Sequence, residues 1–89
     1  MDDSSHYSHR VRMVRGPFIQ AFGKRVREIR KERGYSQEEL AHFAGLHRTA
    51  ITHIERATRS STLETLEKLA RALKVAPADL IPSLPKKRR

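Results

Sequence analysis

The sequence contains no cysteine, which excludes a disulfide framework and any thiolate-bound metal and suits a reducing cytoplasm. No apolar run approaches the roughly 18 to 20 residues that a membrane-spanning helix requires. The opening "MDDSSHYSHR" has neither the basic start nor the apolar stretch of a secretory signal. An unexported cytoplasmic protein without a membrane partner is therefore expected. His6 and His9 lie near the start and His42, His47 and His53 in the middle, but no H-E-x-x-H spacing occurs, so no metal site is expected. Glycine-rich phosphate loops, paired acids and nucleophile-base-orienter arrangements are missing too. At 89 residues the chain holds one small core, without room for a separate catalytic or ligand-sensing domain. The expectation is a chain with no catalytic residues, no cofactor and no small-molecule ligand.

What the chain has in excess is positive charge: nineteen Lys plus Arg against ten Asp plus Glu, a net +9. Such a balance favours a polyanionic partner, most commonly nucleic acid. Part of the excess sits in the final "KKRR", Lys86 to Arg89, and the remainder is only moderately basic. Charge by itself does not separate a nucleic-acid binder from a solvated basic surface.

The apolar pattern is helical throughout, and no segment reads as a strand or a repeat. Residues 1–17 read as a flexible basic arm, ended by Gly16-Pro17 and followed by a helix start. From Phe18, the positions Phe22, Val26 and Ile29 recur at helical spacing with charged residues between them, predicting an amphipathic helix that stops at Gly34. "SQEELAHFAG", residues 36–45, opens with Ser36 and Glu39 in capping-box spacing and predicts a short second helix. In "GLHRTAITHIER", residues 45–56, Leu46, Ala50, Ile51 and Ile54 form an apolar side and Arg48, Thr49, Thr52 and His53 project elsewhere, predicting a two-faced third helix. Ser61 and Glu64 have capping-box spacing before a fourth helix carried by Leu63, Leu66, Leu69, Ala70 and Leu73. Pro77 then suits the start of a fifth, very short helix, with Leu80 and Ile81 available to close the core and Pro82 and Pro85 to stop it. The folded domain is expected over 18–82, with a flexible basic tail over 83–89.

Two short helices joined by a glycine-containing turn inside an all-helical domain form the supersecondary unit of helix-turn-helix DNA readers. The residues carry a closer likeness. Gly34, then Ser36-Gln37-Glu38-Glu39-Leu40-Ala41, Gly45-Leu46, Ile51, Ile54-Glu55-Arg56 and the leucine ladder of residues 63–73 resemble the Cro/C1-type domain of phage repressors and the xenobiotic-response-element regulators. Within that family "GLHRTAITHIER" is most similar to the small controller proteins of restriction-modification systems, although many of those have an aromatic residue where this chain has Ala50. The resemblance implies an all-α, five-helix, lambda-repressor-like fold and a sequence-specific transcriptional regulator that binds double-stranded operator DNA as a homodimer. The same fold also occurs in antitoxins and coactivators, where it serves as a protein-interaction module.

By position, the resemblance puts Arg48, Thr49, Thr52 and His53 of the third helix against base edges in the major groove. Arg48 suits guanine, whose O6 and N7 accept both N–H donors of one guanidinium edge. Thr49 and Thr52 suit a thymine methyl or a phosphate oxygen. Gln37 at the start of the second helix and Arg59 beyond the third are placed on phosphates, and His47 either caps the third helix or touches phosphate. The resemblance pairs Glu55 with Arg30 as a structural salt bridge. Leu80, Ile81 and Leu84 are the expected dimer surface, with core closure as the other role open to them.

Overall fold

The computed structural model describes residues 16–84; the expected basic arm before Gly16 and the "KKRR" tail lie outside them. The first helix, α1, spans Pro17–Glu32, one residue earlier than Phe18. Pro17 occupies the first turn, where a missing N–H costs nothing because that group has no intrahelical acceptor. Phe22, Val26 and Ile29 are buried on one side of α1. Arg33 remains right-handed, Gly34 takes φ +76°, and the Tyr35 N–H returns to the Arg30 carbonyl at 3.1 Å. A residue with a Cβ resists that left-handed conformation, which is why the helix ends at the glycine.

α2 covers Gln37–Ala44 behind a complete capping box, in which Ser36 Oγ accepts the Glu39 N–H at 3.0 Å and Glu39 Oε1 accepts the Ser36 N–H at 2.8 Å. α3 covers Arg48–Arg56 and α4 covers Leu63–Leu73. Two expectations about α4 change. Its cap is Thr62, whose Oγ1 accepts the Thr65 N–H at 3.1 Å, rather than Ser61 with Glu64. Leu63, counted in the apolar ladder, is 82% exposed because it occupies the first turn, outside the inward stripe of Leu69, Ala70 and Leu73. The expected fifth helix is a single 3-10 turn, Pro77–Asp79. Pro82 follows too soon for an α-helix to develop. No strand occurs among the described residues.

α1 packs on α3 and, less extensively, on α4, while α2 packs on both α3 and α4. Val26, Leu40, Ile51, Leu69, Leu73 and Leu80 are completely buried where these helices meet. Each such side chain stabilises the fold by about 1.5 to 3 kcal/mol relative to exposure. Leu80 therefore belongs to the monomer core and offers no surface to a second copy, which corrects the expected dimer contact. Arg25 Nε donates to the Asp79 carbonyl at 3.0 Å, holding the 3-10 turn on α1, and Arg33 Nε donates to the Leu73 carbonyl at 2.8 Å.

The α1–α3 crossing depends on a residue that sequence periodicity passes over. Gly23 is buried inside α1, and a Cβ there would overlap the Ile54 carbonyl oxygen and press on the Glu55 carbonyl. Mid-helix glycine is unfavourable by roughly 0.5 to 1 kcal/mol relative to alanine. Here it is what permits the two backbones to touch.

Candidate nucleic-acid interface

Gly45, Leu46 and His47 connect α2 to α3. Gly45 has φ +70°, the Leu46 N–H reaches back to the Ala41 carbonyl at 2.8 Å, and the half-buried Leu46 side chain rests on the core. A turn this short fixes the angle between the helices. His47 occupies the cap position of α3, but its imidazole accepts no cap hydrogen bond. Of the two roles open to it, capping is not made, and the ring stays exposed.

α3 divides by helical spacing. Ile51 and Ile54 are buried, whereas Arg48, Thr49 and Arg56 are exposed and Ala50, Thr52 and His53 lie half-buried at the boundary. Positions 49, 52, 53 and 56 fall at intervals of three and four, so Arg56 shares a stripe with three of the expected base-facing residues. Sequence reasoning passed over Arg56, although that spacing was there to find it. Among the described residues, the Arg48, Arg56 and Arg59 guanidiniums have no hydrogen-bond or ion-pair partner.

Beneath this stripe the polar groups are fully engaged. Arg30 donates from Nε to Glu55 Oε2 at 2.7 Å and from Nη2 to Glu55 Oε1 at 3.1 Å, while its Nη1 reaches the Tyr35 carbonyl at 2.8 Å. The two side chains are only 10% and 3% exposed. The expected salt bridge is thus present, bidentate and desolvated. A buried pair of this kind breaks even against its desolvation only when further hydrogen bonds satisfy its remaining sites. The Tyr35 carbonyl supplies one, and Gln37 Nε2 supplies another by donating to Glu55 Oε1 at 3.0 Å. The Tyr35 contribution had no sequence signal, since a carbonyl acceptor is available at every residue.

Gln37 continues the chain of contacts, its Oε1 accepting from Thr52 Oγ1 at 3.1 Å. The network joins α1, α2 and α3 and runs from the core to the exposed stripe. Gln37, expected on a phosphate, is therefore half-buried and engaged at both ends of its amide, with one N–H of its NH2 group uncommitted. His53 is also tied down, with Nδ1 2.8 Å from Thr58 Oγ1. That bond turns the ring toward the segment after α3, where it borders a recess lined also by Arg59, Ser60 and Thr65. Arg48 and Thr49 remain together at the N-terminal end of α3, and Arg59 lies apart beyond its C-terminus. Of the residues expected to pair with a second copy, Ile81 is 46% and Leu84 72% exposed. Ile81, Phe18 and Leu63 rim one apolar groove.

A helix-turn-helix family model matches residues 26–80. The chain is 49% identical over 61 residues to Control protein C.BamHI of Bacillus amyloliquefaciens, covering 67% of this chain and 75% of that protein. It is 46% identical over 56 residues to Control protein C.SmaI of Serratia marcescens, covering 63% of this chain and 67% of that protein. Among solved structures, the restriction-modification controller protein C.AhdI from Aeromonas hydrophila superposes with a TM-score of 0.70 at 41% identity, covering 71% of this chain and 96% of that one.

Proposed function

Because this chain belongs to the helix-turn-helix family, as a Cro/C1-type domain most like restriction-modification controller proteins, we propose that it regulates transcription by inserting α3 into the major groove of a partly palindromic operator. It acts as a homodimer in the cytoplasm, at the nucleoid, and carries no enzymatic activity. Arg48, Thr49, Thr52 and His53 face base edges, and His47, Arg56 and Arg59 face phosphates, while Gln37, engaged by Glu55 and Thr52, stands behind Thr52. The observation that carries this reading is the contrast on α3: a side bound to the core through Ile51, Ile54 and Glu55, and a side on which Arg48 and Arg56 find no partner within the described residues. Unpaired guanidiniums cost little in water and match the acceptors of guanine and phosphate.

One helix contacts too few base pairs for useful specificity, and two copies set one DNA turn apart supply the remainder. Ile81 and Leu84 form the pairing surface, and the groove rimmed by Phe18 and Leu63 lies next to Ile81.

Binding of the chain to the DNA upstream of its own gene, compared with unrelated duplex at several salt concentrations, tests the assignment. Arg48→Ala is expected to remove the preference for the specific site while retaining salt-dependent non-specific binding. Equal affinity of the unaltered chain for every duplex overturns it.

A further inference from the structure

The hydrogen-bond network beneath α3 also decides what Thr52 can read. A carboxylate only accepts hydrogen bonds, so the end of Gln37 that lies 3.0 Å from Glu55 Oε1 is its NH2 group. The amide oxygen is then turned to Thr52, whose hydroxyl lies 3.1 Å from it. The other acceptor in reach of that hydroxyl is the Arg48 carbonyl, at 3.2 Å. Gln37 Oε1 and the Arg48 carbonyl are both acceptors, and a threonine hydroxyl has a single hydrogen. Whichever of the two receives it, the hydrogen is committed inside the protein.

Resting on the base-reading role proposed for α3, we infer that Gln37 is a positioning residue that locks Thr52 as an acceptor. Outward, Thr52 presents oxygen lone pairs and a methyl group and has no proton to donate. It suits a base pair that offers an exocyclic amine, on adenine N6 or cytosine N4, or the methyl of thymine, and it disfavours guanine, whose major-groove O6 and N7 both require a donor. Neither does it suit a phosphate oxygen, which leaves that role to His47, Arg56 and Arg59. The lock is anchored at depth, because Glu55 is itself fixed by both donors of Arg30.

Selection by the full chain from a pool of fully randomised duplex DNA, followed by sequencing of the bound fraction, tests this. Gln37→Leu removes the one acceptor that depends on the Thr52 hydroxyl and leaves only the Arg48 carbonyl, already bonded within the α3 backbone, so the hydrogen can turn outward to a base. Thr52→Val removes the hydroxyl and Thr52→Ser keeps it locked. Gln37→Met is a second variant should Gln37→Leu fail to fold, and thermal melts check each protein. The unaltered chain is expected to enrich a motif in which one position per half-site excludes guanine. Gln37→Leu admits guanine there, its discrimination falling about tenfold, and Thr52→Val changes the same position. Thr52→Ser still excludes guanine, and the position set by Arg48 is unchanged in all of them. A motif that Gln37→Leu and Gln37→Met leave intact overturns the lock while preserving base readout. So does a loss of affinity that is uniform across sequences, with the salt dependence unchanged because the amide is uncharged, which makes Gln37 a phosphate anchor. Failure of the unaltered chain to enrich any motif refutes base readout by α3, and the lock with it.

Discussion

The two sides of α3 are built on opposite rules. Below, the buried Glu55 carboxylate is satisfied three times over, by two donors of Arg30 and one of Gln37, and Ile51 and Ile54 fill the space beside it. Above, Arg48 and Arg56 have no partner among the described residues, and Thr49 is exposed. On the proposed reading, stability and recognition fall to different faces of one nine-residue helix. Substitutions should sort accordingly: those of Ile51 and Ile54 unfold the domain without changing what it prefers, those of Arg48 and Thr49 change preference without affecting the melt, and Gln37 and Glu55, tied to Thr52, bear on both.

The largest effect is expected from Glu55→Ala, which strands the buried Arg30 guanidinium and should lower the unfolding free energy by about 3 to 5 kcal/mol in a urea titration. Glu55→Gln, which keeps acceptor and shape, should lose visibly less. Next comes Gly23→Val. Its side chain must displace the backbone of α3 at Ile54, for a loss of about 3 kcal/mol at the upper end of ordinary overpacking. If Gly23→Val melts like the unaltered chain, the backbone contact does not set the position of α3.

On the upper side, Arg48→Ala should cost about 1 to 3 kcal/mol of discrimination at one base pair and leave the thermal midpoint in place, measured by competition binding and calorimetry on the same sample. A large fall in that midpoint erases the division between the sides. The smallest effect lies away from both. Lys74 ends α4 in the left-handed conformation at φ +62°, so Lys74→Gly should relieve about 1 kcal/mol. For a domain of this size that raises the midpoint by roughly 4 to 8 °C, with operator binding unaltered.

How legible these features were in the sequence depends on the range of the interaction. The capping box at Ser36 and Glu39 and the glycine stops at Gly34 and Gly45 are local chemistry, and they stand where spacing put them. The start of α4 was ambiguous because Ser61 and Thr62 are both capping residues, and the choice between them is made by which leucines face inward. Leu80 and Ile81 are adjacent and equally apolar, yet one is buried and the other exposed, because the 3-10 turn sets which of them faces the core. The Arg30–Glu55 pair joins residues twenty-five apart and was accessible only through family resemblance. The parts played by Gly23, Gln37 and Thr52 depend on where two helices cross, for which no spacing rule within a single helix gives a sign.

The crossing at Gly23 has a wider consequence. Where side chains separate two helices, repacking them alters the gap, and a reading helix can drift in height as the core evolves. Between α1 and α3 the gap is set at that point by the thickness of the main chain itself. The proposed reach of Arg48 and its neighbours into a groove is then a fixed length, and on that reading the exposed letters of α3 can be exchanged for others, toward a different DNA sequence, without readjusting the depth from which they read.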